Sequence, residues 1–418
     1  MFETIIAQDK TIDLLKNDII KKSLNNSMLF YGPKFTGKLT TALEMVRILN
    51  CKKEATLNCD CINCNRIRTL DFEGLIFLSR RNFTFYIREF IFSYKITKNL
   101  IFIDKIKYYT KLLFMPLQDF LIKDSSFDTD RKDIISKSEE AYDIINSLKI
   151  EIEDLEKLEK IALDIFNIYK KPNIPVSSMR EMLDWTYIAH PDINRFVIID
   201  MVDFLDDSSK NILLKRLEEP SKNLFFILIA ENRNKVLQTI LSRCRNYYFQ
   251  PLSRKSVAEI IEKVFGLEKE KYEIEKSYDS IEDYIYRSDE TYSKNIYPSA
   301  VKILNYTLLK EHTFMDLLTL LQNFNDRKIV KAILNEINII FSNEIINREK
   351  VFVRINNDDI DTNYELNSLK ILPYETLNLL KSKIVEYINK IDKFNLNPVL
   401  TLEGIFYPLK SMILENDI

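Results

Sequence analysis

Along the first 250 residues, short blocks of consecutive apolar residues alternate with stretches in which apolar positions recur every three or four residues. Ile12, Leu15, Ile19 and Ile20 carry helical spacing within 10–23, and the run Met28-Leu29-Phe30-Tyr31 behind them reads as a buried strand. A helical run follows through Leu49. Met179, Met182, Leu183 and Trp185 mark a helix over 176–190, and Phe196-Val197-Ile198-Ile199 is a continuous apolar strand ending in Asp200. Next come a helix over 210–217, a strand over 224–229, a helix near 235–241 and the strand Tyr247-Tyr248-Phe249. Strands that are apolar along their whole length are buried on both faces, as in a parallel sheet. The βαβα alternation predicts an α/β fold with right-handed crossovers.

Past Pro251-Leu252 strand signals vanish. Helical periodicity appears near 253–265, 280–290, 298–310, 313–346, 374–392 and 399–415, which predicts a small helical domain over 251–308 and a larger all-helical one over 309–418. The stretch 79–172 fits neither pattern. Its first half is aromatic and basic, with Phe83, Phe85, Tyr86, Phe90, Phe92, Tyr94, Tyr108 and Tyr109. Its second half, about 138–170, reads as an acidic helix whose Ile145, Leu148, Ile152, Leu155 and Leu158 step three and four residues at a time. It is either a helical insertion that packs on itself or an arm that docks a partner.

Composition narrows the function classes. The 418 residues suggest two or three domains, and five glycines imply few loops. With 60 basic and 62 acidic residues the formal charge is −2, so no global positive field holds nucleic acid unaided. No basic leader precedes a long apolar stretch, and no apolar run nears the length of a membrane span, so a cytoplasmic protein without membrane contact is expected. Four of the five cysteines fall within 51–64, which in the cytosol points to a metal site or plain thiols before disulfides.

Directly after the first strand comes Gly32-Pro33-Lys34-Phe35-Thr36-Gly37-Lys38-Leu39-Thr40, in the strand–loop–helix setting of a phosphate loop. Gly32, Gly37 and Lys38 stand where a G-x-x-x-x-G-K-[ST] loop needs them. Leu39, however, has no oxygen for a metal, and Thr40 points roughly 100° around the helix. Asp200 would order a Mg²⁺ shell, but Met201 follows it where a general base is needed, and a thioether accepts no proton at neutral pH. Asp203 lies three residues on. The expectation is therefore a degenerate nucleotide site, with Gly32, Gly37, Lys38, Thr40 and Asp200 as its remnants, binding ATP or ADP weakly or not at all and hydrolysing little.

The stretch Val197 to Asp200, continuing through Asn211-Ile212-Leu213-Leu214-Lys215-Arg216-Leu217-Glu218-Glu219-Pro220 to Ser242-Arg243-Cys244, resembles the bacterial DNA polymerase III clamp-loader subunits of the AAA+ class. Ile5-Ile6-Ala7-Gln8-Asp9 and the run Asn395 to Glu403 are similar to the family's first and last motifs, the former with Ala7 where glycine is usual. The resemblance implies an AAA+ P-loop-type parallel-sheet domain over 1–250, a helical lid over 251–308 and an all-helical collar over 309–418. The loss of motor chemistry at Leu39 and Met201 resembles the delta-prime stator, which is non-catalytic alone. It implies that Arg243 acts in trans on a neighbour's ATP, the alternative being an arginine that merely pairs with a carboxylate. Implied partners are the gamma/tau and delta subunits and, through the complex, the sliding clamp and primed DNA. The family also implies that Cys51, Cys59, Cys61 and Cys64 form a zinc module, here with one C-x-C interval, against free thiols. Two other readings stay open: a divergent gamma/tau-type ATPase, and a zinc-containing nucleic-acid adaptor using the aromatic-basic stretch. Cys244 is expected to be a small buried hydrophobe, and His190 and His312 ordinary structural residues.

Overall fold

The computed structural model describes residues 1–418 apart from 119–130, 148, 169–173, 189–191, 219–220, 267–279, 289–295, 354–368, 370–371, 394–395 and 416–418. His190, Leu148, Glu219, Pro220 and Asn395 lie outside the described residues. The chain forms two compact units, Met1–Ile285 and Tyr286–Ile418.

The first unit begins with α1 (Asp9–Ile20), β1 (Ser27–Tyr31), α2 (Lys38–Asn50), α3 (Ile62–Arg68) and β2 (Leu75–Leu78). Then come α4 (Thr84–Thr97), α5 (Ile101–Phe114), α6 (Arg131–Asn146), α7 (Ile152–Ile168) and α8 (Val176–Tyr187). The chain returns to the sheet with β3 (Arg195–Ile199), α9 (Asp207–Glu218), β4 (Leu224–Ala230), α10 (Gln238–Leu241) and β5 (Arg245–Tyr248). Helices α11 (Arg254–Ile260), running into a π-helical turn at Ile261–Phe265, and α12 (Ile281–Ser288) follow.

The five strands are all parallel, in the order β2-β3-β4-β1-β5. Strands β1 to β4 are buried on both faces: Phe30, Phe77, Phe196 and Ile227 join one apolar cluster and Leu29, Leu78, Ile199 and Leu228 another. That is why their sequences read as unbroken apolar runs. Register aligns their ends, with Leu78 opposite Ile199 and Tyr31 opposite both Ala230 and Tyr248. The loops after β1, β2, β3 and β4 therefore emerge along one edge, where ligands of open α/β sheets bind. Gln8 ties the entry segment to the chain just past the last strand: its side-chain amide donates to the Gln250 carbonyl and its side-chain carbonyl accepts from the Gln250 amide, both at 2.9 Å.

Local structure departs from the pattern in several places, and the buried strand β2 was not expected at all. The acidic helix expected near 138–170 is two helices. Ser147 turns the chain by donating to the Lys149 carbonyl at 2.7 Å, and Asp154 caps the new start by accepting from the Glu151 amide at 3.0 Å. Ile145, Leu155 and Leu158 are buried but Ile152 is exposed, so the stripe is not continuous. The last strand is Arg245–Tyr248 rather than 247–249, since pairing to β1 sets it and Asp18 neutralises Arg245 at 2.6 Å. The helix near 235–241 starts at Gln238 after a 3-10 turn at Arg233–Lys235. The pattern over 313–346 divides between two helices of the second unit.

That unit contains α13 (Tyr297–Leu308), α14 (Phe314–Leu321), α15 (Arg327–Val353), α16 (Tyr374–Lys393) and α17 (Pro398–Glu415) around Leu304, Leu321, Ile337, Phe341 and Phe406. Asp316 and Thr313 form a capping box at the start of α14. Lys410, fully buried on α17, donates to the Leu309 carbonyl at 2.7 Å, and its burial lowers its pKa. Among the described residues no helix is long and apolar enough to cross a membrane.

Candidate functional site

The loop between β1 and α2 has the backbone of a phosphate loop. Gly32 and Gly37 take positive φ, 145° and 87°, and Phe35 adopts the left-handed region at 57°. At Gly32 a Cβ would lie 2.1 Å from the Phe249 carbonyl oxygen, so only glycine fits. Lys38 opens α2 and is 3% exposed. Its ammonium donates to the Gly32 carbonyl at 2.7 Å, to the Pro33 carbonyl, and to Thr36 Oγ1 at 3.3 Å. Three protons thus meet three acceptors of its own loop. Burial, aided by nearby Arg81, lowers its pKa to about 8. Leu39 packs against the core and Thr40 is exposed on the first turn of α2.

Asp200, at the end of β3, is fully buried. Both carboxylate oxygens are taken by one guanidinium: Arg81 Nε donates to Oδ2 at 2.8 Å and Nη2 to Oδ1 at 2.9 Å. Ser79 Oγ donates to Oδ2 at 3.2 Å and accepts from the Arg81 amide at 3.0 Å. Burial disfavours the charged guanidinium, but Asp200 outweighs it and holds the Arg81 pKa above its ordinary value. Met201 takes a left-handed φ of 61°. Asp203 Oδ2 accepts the Glu231 and Asn232 amides at 3.3 and 3.1 Å beyond β4, while its Oδ1 is buried without a hydrogen-bond partner among the described residues. Burial raises the pKa of Glu231 itself.

Helices α4 and α5 close one side of this cleft. Tyr86 and Tyr109 stack with centroids 4.4 Å apart and planes 4° from parallel, and Tyr86 also stacks on Phe265 at 5.9 Å. Burial pushes the Tyr86 phenol up to about 12 and Tyr109 well above its ordinary value. Phe83, Phe85 and Phe90 are buried as well. These rings form a core and are not a surface on which bases stack. The remaining cavity, about 180 Å³, is lined by Ile5, Phe35, Lys38, Arg81, Tyr86 and Tyr109 among others.

Arg243 lies just past α10. Its Nη1 donates to the Thr239 carbonyl at 2.9 Å and its Nη2 to Glu218 Oε1 at 2.5 Å. The two side chains are 33% and 52% exposed. Such a surface pair is worth about 0–1 kcal/mol and is easily exchanged for another anion. Cys244 beside it is buried, and burial raises its thiol to about 12.

The four cysteine sulfurs come together between α2 and α3, all within 4.8 Å of one another. Cys51 Sγ lies 3.5 Å from Cys59 Sγ and 3.9 Å from Cys61 Sγ. A tetrahedral zinc with arms of about 2.3 Å has sulfur–sulfur edges of about 3.8 Å. Amides of Lys53 and Ala55 donate to Cys51 Sγ at 3.3 and 3.2 Å, and Cys61 caps α3 by accepting from the Cys64 amide at 3.5 Å. Burial opposes ionisation of Cys61, yet donation from the Cys64 and Lys52 amides brings it to about 6, whereas burial carries Cys64 to about 12. Arg47, buried and paired with Glu44, donates to Cys64 Sγ at 3.5 Å. The donor set and its spacing fit a zinc ion despite the C-x-C interval.

The structure thus gathers Gly32, Gly37, Lys38 and Asp200 along one sheet edge, with Arg243 and the four cysteines on other elements. Sequence reasoning missed Ser79 and Arg81, and the carboxylate that the alternative reading of Arg243 called for is Glu218. The Arg80-Arg81 doublet straight after a buried strand was the available signal, but only the β2–β3 register puts it beside Asp200.

A family model described as DNA polymerase III, delta subunit, matches residues 7–116 and 125–253. The chain is similar to DNA polymerase III subunit gamma of Buchnera aphidicola subsp. Baizongia pistaciae (strain Bp), 28% identical over 226 residues, which are 52% of this chain and 59% of that protein. It is 40% identical to DNA polymerase III subunit delta' of Bacillus subtilis (strain 168) over 65 residues, 16% of this chain and 20% of the relative. DNA polymerase III subunit tau of the same organism is 30% identical over 106 residues, 25% and 19% of the two lengths. The chain covers less than two-thirds of each of these relatives.

Proposed function

This chain belongs to the DNA polymerase III delta-subunit family, bacterial clamp-loader subunits of the AAA+ type, and from that premise we propose that it is a stator of the delta-prime kind. In this reading it assists ATP-dependent loading of a sliding clamp onto primed DNA without turning over ATP itself. It joins gamma/tau and delta subunits through the helices of 309–418, with 251–308 as the lid. The carrying observation is the pairing of Asp200 with Arg81, which leaves the first carboxylate of the motor chemistry engaged by an internal cation. Leu39 and Met201 support it, since neither supplies the oxygen that metal ligation or water activation needs.

Arg243 supports the other half of the reading. It stands at the surface on a weak pair, chemically suited to bridge to the γ-phosphate of a neighbouring subunit's ATP; such arginines contribute about 10³–10⁵ in rate. Replacing it by alanine is expected to leave the melting temperature of the isolated chain nearly unchanged. The DNA-stimulated ATPase of the complex reconstituted with gamma/tau and delta should fall by about tenfold or more. Undiminished ATPase in a complex that assembles normally would refute the finger. The zinc module belongs to the same proposal, with Cys51, Cys59, Cys61 and Cys64 holding the ion as a structural clip beneath α2 and α3.

A divergent gamma/tau-type ATPase is the second reading, favoured by the alignment of 226 residues with a subunit named gamma. Turnover by the isolated chain that Lys38→Ala abolishes would select it.

A further inference from the structure

Metal-bound nucleotide is implied at the sheet edge of an AAA+ subunit, yet the residues there do not fit that group. An octahedral Mg²⁺ binds oxygens at about 2.0–2.1 Å and needs a carboxylate oxygen turned toward it. Here both Asp200 oxygens accept charge-assisted hydrogen bonds from Arg81, and Ser79 adds a third donor. Such bidentate pairs are among the strongest polar contacts in proteins. A divalent ion brought to the same carboxylate would meet the guanidinium at close range inside a buried site, where repulsion between like charges is large. Lys38 is committed to its own loop, and Leu39 offers no ligand. The cavity of about 180 Å³, narrowed by Tyr86 and Tyr109, falls below the roughly 300–1,000 Å³ of ordinary ligand pockets.

We propose that Arg81 is a built-in counterion that takes the divalent cation's place at Asp200, so that this cleft rejects metal–nucleotide complexes and keeps its phosphate loop folded without one. The inference rests on reading the cleft as a degenerate clamp-loader site and assigns its degeneracy a cause. Two neutral losses, at Leu39 and Met201, weaken metal chemistry; a positive charge excludes it. The same guanidinium joins the turn after β2 to the end of β3.

The test uses the full-length chain with Mn²⁺ and a fluorescent ADP analogue as probes. Wild type is expected to show neither Mn²⁺ binding by electron paramagnetic resonance nor Mg²⁺-dependent binding of the analogue. Arg81→Ala, shown folded by circular dichroism, should bind Mn²⁺ about tenfold or more tightly than wild type as the like-charge repulsion is removed. Adding Asp200→Asn should abolish the gain. Arg81→Gln, which keeps volume and one hydrogen bond, carries the same test should the alanine variant not fold. A folded variant that gains no Mn²⁺ affinity overturns the proposal, and so does stoichiometric binding of the Mg²⁺–analogue complex by wild type. These outcomes are read on the isolated chain. They separate from failure of the stator reading, which is judged by the ATPase of the assembled complex.

Discussion

Lys38 illustrates how one side chain can be kept for its shape at a cost in charge. Burial brings its pKa to about 8, below the ordinary 10.5. A lysine whose folded pKa is depressed binds fewer protons in the folded than in the unfolded chain between those two values. Its unfavourable contribution is therefore fully present below about pH 8 and is relieved as pH rises toward 10.5. Lys38→Met removes this dependence. The unfolding free energy of wild type relative to Lys38→Met should rise between pH 7.5 and 9.5 by at most about 1.4 kcal/mol per pH unit. Urea titrations at the two pH values and constant ionic strength measure it, and a pH-independent difference would show that the ammonium is not desolvated as described. Residue-level chemistry was legible before the fold where a single side chain decides it, as at Leu39 and Met201. Arg81 was not, because its role depends on Leu78 lying opposite Ile199 in another part of the chain.

Several strands were legible because their burial is symmetrical, although β2, buried along its length, was not expected. In the strands Ser27–Tyr31 and Arg195–Ile199 every residue after the first is apolar because both faces are covered. The edge strand β5 was harder, since Arg245 and Asn246 face outward and only Tyr247 is buried in its Arg-Asn-Tyr-Tyr sequence. Helices α6 and α7 merged in the pattern because the turn between them contains neither glycine nor proline. The aromatic stretch could be read as a nucleic-acid surface or a core, and tertiary packing against Phe265 is what makes it a core. If zinc occupies the four cysteines, the element that would depend most on it is α3, seven residues long and capped by a cysteine. A helix that short is unstable alone, so its clip should matter. Protein purified under reducing conditions is expected to contain one zinc per chain by mass spectrometry. Cys61→Ser should lose the metal and several kcal/mol of stability. Wild type prepared this way without zinc would sink the assignment.

For the whole molecule, charge is the informative quantity. Sixty basic and 62 acidic side chains nearly cancel, and several of the basic ones are already paired, Arg81 with Asp200, Arg47 with Glu44 and Arg245 with Asp18. The rings that would stack on bases are largely enclosed. Affinity for a duplex comes mainly from releasing counterions as Lys and Arg neutralise phosphates, and non-specific binding from that source reaches only about 10⁻⁴–10⁻⁶ M at physiological salt. A chain with balanced charge should lie at or beyond the weak end of that range. We therefore expect the isolated protein to bind primed DNA no better than about 10⁻⁴ M near 150 mM salt, and to be retained on DNA only within the assembled complex. Fluorescence anisotropy of a labelled primer–template, titrated at several salt concentrations, checks this. Micromolar binding by the isolated chain, with a salt slope equivalent to several phosphate contacts, would instead reveal a concentrated basic face and return the nucleic-acid adaptor to consideration. The stator reading requires the opposite, because a subunit that holds DNA on its own would not need the ring to deliver it.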